Sequence, residues 1–158
     1  MVISYRGPRK EAPKAVEQAL KVKDFMTRKL ITFSPDDSIY FVLHTLVKKN
    51  ISGGPVKDEN GTLIGIISEG DCLKQVVRGK YTNTPELIGV VKDYMTPDPV
   101  TVGKEDNILT VAKLFLKLRL RRFPVLENNK LVGQISQRDV MAAIDSLESE
   151  TWRENKSK

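Results

Sequence analysis

The sequence predicts an α/β fold of the α+β type, made of two β-α-β-β-α repeats packed about a pseudo-two-fold axis. Three observations predict it. The chain repeats itself: Val22-Lys23-Asp24-Phe25-Met26-Thr27 returns 69 residues later as Val91-Lys92-Asp93-Tyr94-Met95-Thr96. Each copy alternates strand-like and helix-like periodicity in the same order. And each copy is too short to bury both faces of a three-stranded sheet by itself, so the two must share a core.

The elements follow in order. At the same offset of 69, Thr32 pairs with Thr101, Ile39 with Ile108, Pro55 with Pro124 and Val56 with Val125. The offset then drops to 68, pairing Gly65 with Gly133, Ser68 with Ser136 and Asp71 with Asp139. The residue is lost in a turn, where a duplication tolerates it. Each copy opens with a short strand, Leu30-Ile31-Thr32-Phe33 or Pro99-Val100-Thr101-Val102. Ser34 to Ser38 and Gly103 to Asn107 then supply helix-capping oxygens and early acidic residues. A helix follows, with Ile39, Val42, Leu43 and Leu46, or Ile108, Val111, Ala112 and Phe115, on one apolar stripe. Strands at Pro55-Val56 and Phe123-Pro124-Val125-Leu126 lead through asparagine-containing turns to Leu63–Ile67 and Leu131–Ile135. Of the two turns, Asn60-Gly61 is the stronger hairpin signal. Second helices close the copies, from Asp71 to about Val77 and from Asp139 to about Leu147.

The predicted organisation is an N-terminal extension with a short helix at 1–21, a first repeat at 22–78, a linker at 79–90, a second repeat at 91–147 and a fraying charged tail at 148–158. Ala15 to Leu20 form the short helix, and Trp152 is free to dock.

Composition narrows the function. The 158 residues carry 26 Lys and Arg against 20 Asp and Glu, a net charge of +6, which suits an anionic partner without naming it. One cysteine, Cys72, and one histidine, His44, exclude a disulfide framework and a Cys/His zinc cluster. No stretch reaches the ~20 apolar residues of a membrane span, and Met1 to Met26 lacks a signal-peptide run. The expected setting is a reducing cytoplasm. No nucleophile–base pair is visible, so an enzyme is not expected. Cys72 reads as a packed thiol, and His44 as a surface or half-buried helix residue.

The motifs that bear chemistry are Ser68-Glu69-Gly70-Asp71 and Ser136-Gln137-Arg138-Asp139. Each stands where a strand ends and a helix begins, where free N–H groups and the helix dipole favour a phosphate. The same spacing is a capping-box pattern, in which Ser and Asp satisfy the helix itself. Spacing alone favours the caps.

The tandem order of strand-Thr, helix, hydrophobic-Pro-Val, turn and Gly-x-Ile-Ser-x-x-Asp resembles the CBS (cystathionine-β-synthase) domain pair, across about Val22 to Leu147. That resemblance reverses the preference. It implies a regulatory module that binds adenine nucleotides or adenosine derivatives (AMP, ADP, ATP or S-adenosylmethionine) in clefts between the repeats, with no cofactor required. It implies that Ser68 and Ser136 touch phosphate, that Asp71 and Asp139 hold ribose, and that Thr32 and Thr101 line the clefts. Arg121 and Arg122 match family positions that reach ligand phosphates, and Arg138 adds charge beside Ser136. Arg121, Arg122 and Arg138 are therefore expected to serve the Ser136–Asp139 cleft and to make it the tighter phosphate site. Arg119 reads as a solvated helix-end cation. The Gly53-Gly54 pair reads as room for a close backbone or an adenine ring.

A homodimer is expected through the second helices, with Leu73, Val76, Val77, Val140, Met141 and Ile144, and an effector protein is a further candidate partner. Two other readings stand beside this one. One is a ligand-free structural adaptor. The other is a nucleic-acid-binding protein, suggested by Arg119-Leu120-Arg121-Arg122 but opposed by dispersed acidic residues and the absence of a recognised motif.

Overall fold

The computed structural model describes residues 20–80 and 87–156, with side chains for all of these but 79–80 and 148–156. The first copy contains α1 (Val22–Phe25), α2 (Ile39–Lys49), β1 (Gly53–Lys57), β2 (Leu63–Ser68) and α3 (Glu69–Lys80). The second contains α4 (Val91–Tyr94), β3 (Thr96–Pro97), β4 (Val102–Gly103), α5 (Ile108–Leu118), β5 (Arg122–Glu127), β6 (Lys130–Ser136) and α6 (Gln137–Lys156). The strands form two three-stranded sheets, ordered β1-β2-β3 and β4-β5-β6.

The helices begin where the polar residues predict. Ser38 Oγ accepts from Phe41 N at 3.1 Å, and Asn107 Oδ1 from Leu109 N at 2.8 Å. Ile39, Val42 and Leu46 are buried from α2, and Ile108, Val111 and Phe115 from α5. The hairpins differ. The tight turn is Asn128-Asn129, both with positive φ (48° and 60°), as a two-residue turn between twisted strands requires. The Asn60-Gly61 turn is longer, and Asp58 Oδ1 accepts from Asn60 N and Thr62 N within it.

The opening strands are shorter than the sequence suggests. Leu30–Phe33 reduces to one parallel bridge, Phe33 to Val56, and its counterpart to Val102–Gly103 beside Val125 and Leu126. Proline explains both. Phe33 N donates to Pro55 O and Lys57 N to Phe33 O. One step upstream the parallel ladder needs an N–H from Pro55, or from Pro124 in the second copy, and proline has none.

The main departure concerns which copy each opening segment joins. β3, at the start of the second copy, pairs antiparallel with β2 of the first, Thr96 opposite Ile66. Thr27, at the start of the first copy, bridges to Gln134 in β6 of the second. Val22 N donates to Asp106 O and Lys23 N to Lys104 O; 69 residues later, Val91 N donates to Asp37 O and Lys92 N to Pro35 O. Each copy thus lends its first residues to the other.

The buried residues accordingly form two clusters rather than one. Leu20, Val22 and Met26 pack with Val102, Phe115, Phe123 and Val140. Val91, with Leu87, Tyr94 and Met95, packs with Phe33, Ile39, Val56 and Ile67. Ion pairs hold the lent segments: Glu105 takes Lys21 at 2.6 Å and Lys23 at 2.8 Å, and Asp36 takes Lys92 at 2.8 Å. Glycines let them approach. A Cβ at Gly65 would fall 2.5 Å from Met95 Sδ, and one at Gly133 2.8 Å from Met26 Sδ.

α6 continues to Lys156, through most of the segment that the sequence reads as a charged tail. No glycine or proline follows Asp139 to stop it. The side chain of Trp152 lies outside the described residues, as does all of the helix expected at Ala15 to Leu20 except Leu20, which is buried.

Candidate functional site

The two Ser-x-x-Asp segments cap their helices. Ser68 N and Oγ donate to Asp71 Oδ2 at 2.9 and 2.8 Å. Ser136 N and Oγ donate to Asp139 Oδ2 at 2.7 and 2.8 Å, and Asp139 N returns a bond to Ser136 Oγ at 3.3 Å. The capping reading of the motif is therefore correct in this structure. It leaves the second carboxylate oxygen out of the cap in each copy. Asp71 is buried, with Oδ1 3.6 Å from Lys74 Nζ.

A cleft of about 470 Å³ opens beside the first of these caps. One wall is Ile66, Ser68, Glu69, Gly70 and Asp71, at the end of β2 and the start of α3. A second is Thr96 with Asp98, Pro99 and Val100, carried in by β3. The third is Arg119 to Arg122, between α5 and β5, with Ser52 beside it. The cleft thus exists because the copies exchange segments, and both copies build it.

The cleft also decides where the arginines belong. Arg121 and Arg122 line it with Ser68 and Asp71, not with Ser136, Arg138 and Asp139. The backbone of Arg122 pairs with Ser136 in the β5–β6 ladder. Its side chain instead crosses the pseudo-two-fold axis. Nη1 donates to Gly53 O at 3.1 Å, and Nη2 to Ser52 Oγ. The expected grouping of these arginines with the second Ser-x-x-Asp is corrected on that ground. Burial lowers the pKa of the Arg122 guanidinium from its ordinary value; Glu69 opposes the shift and Arg121 adds to it.

Gly53 and Gly54 serve backbone approach. A Cβ at 53 would fall 2.6 Å from Ile67 O, and one at 54 2.7 Å from Ile31 O. Thr32 and Thr101 are half-buried and outside the cleft lining, although Thr101 follows Val100 of the second wall. Arg119 is a lining residue, in left-handed backbone at φ 55°. Cys72 is buried, and desolvation, with Asp71 beside it, raises its pKa. His44 is exposed and stacks on Tyr40.

The second wall is what the sequence reading missed. Its signal was present: glycines inside strands at 65 and 133 mark close approach of another chain segment, and a repeated Met-Thr stands ready to make it.

A duplicated β-α-β-β-α unit with exchanged opening segments, and a cleft at a helix start lined by both copies, defines a tandem-repeat binding module. Residues 22–78 and 91–146 each match the CBS domain, and the chain belongs to the CBS domain family. The chain is 31% identical over 156 residues to CBSX2, a chloroplastic CBS domain-containing protein of Arabidopsis thaliana, covering 82% of this chain and 66% of that one. The crystal structure of CBSX2 in complex with AMP superimposes with a TM-score of 0.73 at 34% identity, over 82% of this chain and 99% of that one. The CBS domain pair of MJ0100, in complex with 5′-methylthioadenosine and S-adenosyl-L-methionine, gives 0.69 at 26% identity, over 80% and 96%. An inosine-5′-monophosphate dehydrogenase of Korarchaeum cryptofilum is 32% identical over 128 residues, 80% of this chain but 24% of that enzyme. The chain thus spans just under two thirds of its CBSX2 relative and about a quarter of this dehydrogenase. No helix among the described residues is long and apolar enough to cross a membrane.

Proposed function

We propose that this chain is a regulatory module that binds an adenine nucleotide or adenosine derivative in the cleft between its repeats. The observation that carries the reading is the meeting of Ser68 and Asp71 with Arg121 and Arg122 in one cleft built by both copies. The chemistry divides naturally. An ionised carboxylate only accepts hydrogen bonds, so the uncapped oxygen of Asp71 suits ribose hydroxyls. Arginine forks and the α3 N-terminus suit a phosphate, with Ser68 Oγ able to donate once its cap bond is exchanged. Ile66, Pro99, Val100 and Leu120 offer apolar surface for the base. The relatives solved with AMP and with S-adenosylmethionine support the ligand class.

Thr32, Ser136, Arg138 and Asp139 belong to a second, weaker cleft in this reading, and Thr101, next to Val100, to the first. Binding from both copies at once gives a ligand leverage over their relative orientation, and an effector protein would read that orientation. A homodimer through α3 fits the exposure of Leu73 and Val77, at 60% and 55%. Val140 instead belongs to the core, and Ile144 packs against it. A cytoplasmic setting completes the reading.

Thermal melts with AMP, ADP, ATP, S-adenosylmethionine and GMP test it. A ligand at about 100 times its dissociation constant adds about 2.7 kcal/mol. That raises the melting temperature of a chain this size by about 5–10 °C. No shift with any adenosine compound would support the second reading, a structural adaptor whose Ser-x-x-Asp segments serve only as the caps observed.

A further inference from the structure

The cleft holds as many carboxylates as guanidinium groups. Arg119, Arg121 and Arg122 face Glu69, Asp71 and Asp98. Asp71 is committed to its cap and has Lys74 at 3.6 Å. Glu69 has neither: among the described residues no side-chain hydrogen bond or ion pair to it is found, and it is exposed.

Glu69 is also tied to the phosphate-binding side. Its N–H donates to Ser52 O at 3.0 Å, while Arg122 Nη2 donates to Ser52 Oγ, so both charged residues are anchored on one serine. Glu69 is the only carboxylate among the causes that shift the Arg122 pKa, which agrees with that proximity. At the matching place in the second copy stands neutral Gln137.

We propose that Glu69 sets the charge this cleft accepts, selecting an adenosine ligand with one phosphate over one with a polyphosphate chain. The inference rests on the adenine-nucleotide reading and goes beyond it to specificity. Arg121 and Arg122 attract the first phosphate whatever follows it. A longer chain then adds negative charge near a carboxylate that makes no ion pair among the described residues. At a separation of ~6 Å in a watery cleft, each added charge facing Glu69 weakens binding about threefold. The two further phosphates of ATP therefore cost about tenfold relative to AMP.

The experiment is calorimetric titration with adenosine, AMP and ATP in magnesium-free buffer, on the wild-type chain, Glu69→Gln and Glu59→Gln. Glu59 is an exposed carboxylate in the β1–β2 turn, outside the cleft, and controls for net charge. The expected result is that Glu69→Gln reduces the preference for AMP over ATP about tenfold. Adenosine affinity stays within twofold of wild type, which shows that the variant is folded. Glu59→Gln leaves the preference unchanged. A preference that moves less than twofold in Glu69→Gln, while nucleotides still bind, overturns the inference and leaves the proposed function standing. So does an equal shift in Glu59→Gln. If neither adenosine nor AMP nor ATP binds the wild-type chain, the proposed function falls and the inference with it.

Discussion

Gly65 is the position where one methyl group probes both the exchange of segments and the cleft. It lies in β2, opposite Pro97 of β3. A Cβ built on it would stand 2.5 Å from Met95 Sδ and 3.0 Å from Thr96 O. The thioether can swing aside, but the Thr96 carbonyl is backbone and moves only with the strand. Gly65→Ala therefore overpacks the junction and is expected to cost about 1–3 kcal/mol. For a chain of this length that lowers the melting temperature by about 2–12 °C. Pushing β3 away also moves Thr96 and Asp98, so nucleotide affinity is expected to fall with stability. Urea unfolding gives the energy, and Gly70→Ala is the reference. There the nearest heavy atom to the new Cβ is Ser68 Oγ at 3.7 Å, and alanine is favoured over glycine within a helix by about 1 kcal/mol. Gly70→Ala should hold or raise stability. The double variant Gly65→Ala/Met95→Ala should depart from additivity by at least about 0.5 kcal/mol, as contacting residues do. A Gly65→Ala protein with the wild-type unfolding midpoint, or strict additivity with Met95→Ala, would refute the packing of the exchanged segment described above.

Two further outcomes are expected. Lys21 and Lys23 hold the Glu105 carboxyl at a pKa of about 2, below its ordinary 4.5; a depressed carboxylate stabilises the fold above its unfolded pKa and loses that contribution as pH falls. The difference in urea midpoint between wild type and Glu105→Gln should thus be full at pH 7, shrink between about pH 4.5 and 2, and vanish below; a constant difference would contradict it. For assembly, light scattering should give twice the 17.8 kDa of one chain, and Leu73→Lys should return it to one chain.

Much of this architecture was legible in the sequence. The 69-residue repeat fixed the element order. The stripes of α2 and α5 identified Ile39, Val42, Ile108 and Val111 as core, and they are buried. Ser38 and Asn107 were readable as caps because a cap is a local event, settled within three residues. The Ser-x-x-Asp motif was readable for the same reason, and in both copies the aspartate accepts from the serine N–H and hydroxyl. The short opening strands were overcalled, since the proline that ends each ladder sits in the neighbouring strand and not in the segment being read.

The tertiary structure alone decided which copy each opening segment serves and which cleft the arginines enter. A repeat has the same hydrophobic pattern whether its first helix packs on its own copy or on the other, because both present the same buried surface. Periodicity cannot tell these apart. Arg122 shows the consequence: in sequence it belongs to the copy of Ser136, and its backbone pairs there. Its side chain crosses to the Gly53 carbonyl and the Ser52 hydroxyl of the first copy. The reach of a long side chain across an axis depends on how two bodies are oriented, and that orientation is set by packing between them, not by any residue's neighbours in the chain.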